Sequence, residues 1–118
     1  MMRLKIVNIT DRGIPNQERL HLSVFAPANL VNYAVFASQR ISPNSVKTRP
    51  DLAYWFPSMQ VYPGNQVVLY TGSGQNRAEQ RPDGKWNRFI FWGLSSTVWE
   101  NPNSCAVLLE INEWDTKF

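Results

Sequence analysis

The residues able to do chemistry are few in this chain, and their spacing argues against catalysis. His21 is the only histidine and Cys105 the only cysteine. A triad or a metal site needs several such side chains together, and no His/Cys cluster with ligand spacing occurs. His21 alternates with Leu20 and Leu22, which places it on the wet side of a strand. Cys105 adjoins the apolar run Ala106-Val107-Leu108-Leu109 with no neighbouring His or Lys to activate it, so it reads as an inert buried or half-buried thiol. Glu110, Glu113 and Asp115 form the one carboxylate cluster. A glycosidase pair faces one bond across a cleft, and three acids on a terminal strand have no opposing partner. Gly72-Ser73-Gly74-Gln75-Asn76 suggests a phosphate cradle, yet it lacks the Gly-Lys-Ser/Thr ending and no helix follows to aim amides at an anion. No enzyme activity, metal site or cofactor is expected.

Aromatic and basic residues point to binding instead. Residues 77–88 carry Arg77, Arg81, Lys85 and Arg88 against Glu79 and Asp83, and Trp86 sits among the cations. An exposed tryptophan beside positive charge is a good contact anchor, because it offers area at low entropic cost. The plainer alternative is a loop tryptophan folded back over an edge. Trp55 lies between Tyr54 and Phe56, so strand alternation turns it outward if those two face the core. The candidate binding residues are therefore Trp55, Arg77, Arg81, Lys85, Trp86 and Arg88. A protein partner is the first expectation. Nucleic acid is the second, with the four cations on phosphates and Trp86 stacked on a base. Glu79 and Asp83 count against it. Carbohydrate stacking on exposed tryptophan is the third.

These residues need a scaffold, and almost nothing reads as helix. Eight prolines and six glycines break the chain at short intervals. Candidate strands are residues 4–9, 20–25, 30–37, 53–56, 67–70, 89–92 and 105–111, with alternating or short apolar runs. Phe36 falls on the outer side of its strand and must find some cover. Tyr62-Pro63-Gly64-Asn65 suits a type II turn and Arg81-Pro82-Asp83-Gly84 a type I turn with a glycine exit. The pattern predicts an all-β sandwich of about seven short strands, without the paired cysteines and intervening tryptophan of antibody-type domains. Two polar gaps, residues 38–52 and 72–87, are too long for simple hairpins and read as loops that are either functional or mobile, with residues 39–52 and 75–87 at their centre. Unpaired sheet edges leave a homodimer open.

Several segments resemble the lamin tail domain, an immunoglobulin-like sandwich. They are Tyr54-Trp55-Phe56-Pro57, the Pro63-Gly64 turn, Gln66-Val67-Val68-Leu69-Tyr70, Gly72-Ser73-Gly74, Phe91-Trp92, Val98-Trp99, and Asn103-Ser104 before Ala106 and Leu108. The likeness is concentrated in residues 53–109, and Asn32-Tyr33-Ala34-Val35 stands where the family often has Gly-Trp-x-Leu. The resemblance implies an immunoglobulin-like β-sandwich of about seven to nine short strands, with Trp92 and Trp99 packed in the core. Family members are usually attached to other domains; this chain departs from that, and as a solitary copy it is expected to work by binding something itself.

The 118 residues are expected to make one domain, with 43% hydrophobic and 18% charged residues in the globular range. A lone cysteine cannot form an internal disulfide, and the early apolar stretch is broken at Asn8 and closed by Asp11-Arg12. With no run near the ~18 apolar residues of a membrane span, a cytoplasmic protein without membrane contact is expected. The net charge of +3 is too small to imply nucleic acid by itself.

Overall fold

The computed structural model describes residues 1–118. Its strands are β1 (Leu4–Thr10), β2 (Arg19–Val24), β3 (Ala28–Asn29), β4 (Tyr33–Ser42), β5 (Ser45–Val46), β6 (Leu52–Trp55), β7 (Gln60–Val61), β8 (Gln66–Tyr70), β9 (Arg77–Gln80), β10 (Trp86–Phe91) and β11 (Ser104–Glu110). One sheet runs β1-β2-β8-β10-β9. In the second, β4 is central, with β11 on one side and both β5 and β6 on the other. The short pair β3-β7 stands apart from both.

The two sheets face each other across one core, so the chain is an all-β sandwich. Alternation does the sorting. From the first sheet, Leu4, Leu20, Leu22, Val24, Val67, Leu69 and Ile90 point inward; from β4, Tyr33, Val35 and Ala37 meet them. Trp99, from the loop before β11, fills the space between and is fully buried. Trp92 is only partly buried but packs against the same cluster.

All seven expected strands are present, and four shorter ones (β3, β5, β7 and β9) join them. Both presumed loops prove to be hairpins. β4 runs on to Ser42, and β5 folds back on it, with Ser38 Oγ donating to Lys47 O at 2.6 Å. Residues 77–91 form a second hairpin, β9 against β10. Its polar residues hid it, because an edge strand needs no apolar face. The strand expected to begin at residue 30 begins instead at Tyr33. Asn29 Oδ1 accepts from Val31 N at 3.0 Å and from Met59 N at 2.9 Å, which folds Leu30–Asn32 into a 3-10 turn first.

β10 lies parallel to β8 within an otherwise antiparallel sheet. The chain leaving Tyr70 must therefore cross the end of β10 and return along β9. Gly74 makes that crossing possible: a Cβ there would stand 2.4 Å from Phe91 Cε1. Asn76 Oδ1 then accepts from Phe91 N at 3.0 Å. The Gly-Ser-Gly motif serves this crossing.

A buried carboxylate fastens the loops at one end. Glu18 is fully buried, and four donors surround it: Thr71 Oγ1 (2.9 Å), Val98 N (2.8 Å), Gly13 N (2.8 Å) and Trp99 N (3.1 Å). Arg12 braces the same loop from outside, donating to Trp99 O at 2.9 Å and Ser104 O at 2.5 Å.

Candidate functional site

An antiparallel sheet with one face in water ordinarily carries polar residues on that face. The second sheet does not. Because Tyr33, Val35 and Ala37 of β4 point into the core, Ala34 and Phe36 point out. The register sets two outward rows across the sheet: Leu109, Ala34 and Trp55, then Val107, Phe36 and Ala53. The alanines leave notches between large neighbours. A groove of about 280 Å³ results, lined only by apolar residues: Ala34, Phe36, Ala53, Trp55, Leu109, Ile111 and Trp114. A second hollow, also about 280 Å³, continues past Phe36 and Leu109 to Val46, Lys47, Thr48 and Val107.

Trp55 and Trp114 rise from the groove, 46% and 49% exposed, with ring centroids 5.1 Å apart and edges to faces. Trp55 Nε1 donates to Val31 O at 2.6 Å, so the indole is held upright without being covered. The sequence placed Trp55 outward and left Phe36 in need of cover. Both readings lead to this face. Val107, Leu109 and Trp114 were missed as surface residues, although the unbroken run Ala106–Leu109, without alternation, was a signal that both faces of β11 are apolar.

The other candidates do not gather into one patch. Arg77 lies on the outer face of the first sheet, over the Phe89 ring at 4.3 Å. Trp86 and Arg88 lie on the same side as the core residue Ile90, the guanidinium 5.9 Å from the indole. Arg81 is engaged within the fold: it donates to Gly64 O at 2.8 Å, Asn87 Oδ1 at 3.0 Å and Asp83 Oδ2 at 3.1 Å. The bond from Arg81 to Asp83, and then the Lys85 backbone N–H, hold the Asp83 carboxyl below the usual range. The Lys85 side chain packs against Gly64, its Cδ 2.4 Å from where a Cβ would stand. Arg81 and Lys85 thus pin the hairpin to the Pro63-Gly64 turn.

Titratable groups elsewhere have structural surroundings. Burial, then the nearby Arg19, lowers the His21 pKa. Burial and a hydrogen bond from its hydroxyl to Glu110 push Tyr33 up to about 12. Burial also raises Tyr54, which packs edge-on against Phe56 at 5.2 Å. No helix of the chain is long and apolar enough to cross a membrane. No protein-family model matches this chain, and no curated protein matches it.

Proposed function

We propose that this chain is a non-catalytic binding module of lamin-tail-like, immunoglobulin-like type, and that it takes a protein partner on the outer face of its second sheet. The occupant is an extended peptide segment bearing aromatic or aliphatic side chains. One observation carries this: the groove around Trp55 is lined only by apolar residues on a face where water would otherwise select polar ones. Ala34 and Ala53 offer notches for side chains, and two upright tryptophans offer rigid contact area. The order of turn, strand and tryptophan motifs along residues 53–109 supports the family likeness. A carbohydrate would need polar partners for its hydroxyls, and this groove supplies none. Nucleic acid has less support, since Arg81 is engaged within the fold and Arg77 lies on the opposite side of its sheet from Arg88.

Selection from a random peptide library against the purified protein tests the reading. Enriched peptides should be aromatic or aliphatic, and Trp55→Ala should weaken them by about tenfold or more, with the fold intact by circular dichroism. A library that enriches nothing, or peptides that bind Trp55→Ala equally well, would overturn it.

A further inference from the structure

β11 pairs with β4 on one side and with nothing on the other. Arg40 N donates to Asn103 O at 2.7 Å and Ile111 N to Asn32 O at 2.6 Å, which fixes the parity of the ladder. Odd-numbered residues of β11 bond β4; even-numbered ones turn their N–H and C=O to the free edge. Ser104, the first of these, is already satisfied: its N–H donates to Asn101 O and its carbonyl accepts from Arg12. The edge-facing groups of Ala106, Leu108 and Glu110 have no partner in the chain.

Sheet edges elsewhere carry guards against pairing. β1 is bulged between Ile6 and Asn8. β9 carries Arg77 and Glu79 on an exposed four-residue strand. β6 is equally short, four residues. β11 has seven residues, no bulge in its register and no charge before Glu110. The segment that follows it leads away from the edge, because Trp114 sits against Trp55 beyond β4.

We propose that two copies of this chain join their β11 edges antiparallel about a two-fold axis at Leu108, merging their second sheets into one. The strand is complementary to itself in that register. Each edge-facing N–H meets a C=O, with Leu108 opposite Leu108 and Ala106 opposite Glu110. Val107 falls opposite Leu109, an apolar cross-strand pair, while the two Glu110 side chains stay apart. The outward apolar rows of the two copies become continuous. This inference rests on backbone pairing and stands independently of what occupies the Trp55 groove.

Light scattering on the purified chain tests it first. Twice the 13.6 kDa mass is expected as concentration rises from micromolar to millimolar; a single-chain mass throughout would overturn the proposal. Register is tested by mixing Cys105→Ser/Val107→Cys with Cys105→Ser/Leu109→Cys. Those positions form a non-hydrogen-bonded pair with Cα atoms about 4.5 Å apart, within disulfide reach. The mixture should cross-link several-fold more than either variant alone, and equal cross-linking would exclude this register. Hydrogen exchange on the unmodified protein gives a further readout. Amides of Ala106, Leu108 and Glu110 should slow as concentration rises; a dimer in which they exchange as fast as in dilute protein would exclude this edge.

Discussion

The Glu18 carboxylate accepts the backbone N–H of Trp99 at 3.1 Å across 81 residues of sequence, and both residues are fully buried. A buried carboxyl group without a cationic partner is tolerated in this interior because four hydrogen-bond donors surround it. The contact ties the start of β2 to the loop that delivers Trp99 into the core.

Glu18→Gln should therefore cost far more than a surface amidation. The amide keeps one acceptor but turns its NH2 toward N–H groups that need one. A loss of about 2–4 kcal/mol is expected, read as a Tm lowered on the order of 10 °C. A change within a degree or two would show that the bonds contribute little.

Gly74→Ala should destabilise by about 1–3 kcal/mol through overpacking. The added Cβ meets Phe91, whose ring is stacked on Tyr70 at 4.9 Å and cannot swing aside freely. Phe91→Ala in the same chain should remove most of that penalty. Additive losses in urea titrations would count against the crossing as the reason for glycine here.

Alkaline titration should destabilise the chain through Tyr33. Its folded pKa, about 12, exceeds the unfolded 10.0, so its stabilising contribution is complete below pH 10.0 and is lost as pH rises through about 12. Tyr33→Phe should flatten that decline in stability measured between these values. A decline of the same steepness in the variant would place the cause elsewhere.

Acid should act through His21 in the opposite sense. Its folded pKa lies below the unfolded 6.5, so its contribution is complete above 6.5 and is lost as pH falls through the lowered folded value. Proton resonances of the ring should titrate below 6.5, and His21→Gln should reduce the acid dependence of stability. A ring titrating at or above 6.5 would contradict the partial burial of His21.

Seven of the strands and the tight turns were legible in the residues, because these depend on sequence neighbours. Gly64 takes φ +88° after Pro63, and Gly84 closes its turn with N–H to Arg81 O at 2.9 Å. β2 buries Leu20 and Leu22 as the alternation predicts, while His21, expected on the wet side, is half-buried. Trp99 is in the core where the resemblance puts it.

What meets between distant segments came from long-range pairing. Glu18 reads as one more surface charge until Thr71, Val98 and Trp99 bring donors to it from far along the chain. The polar gaps become hairpins because edge strands pair through backbone groups that side-chain patterns do not report. The basic residues of the second hairpin then part company, since consecutive strand positions face opposite sides of a sheet. The Trp55 groove needs three strands in register, with Ala34 between Trp55 and Leu109. Alternation says that a residue points outward, but long-range pairing decides which outward residues become neighbours.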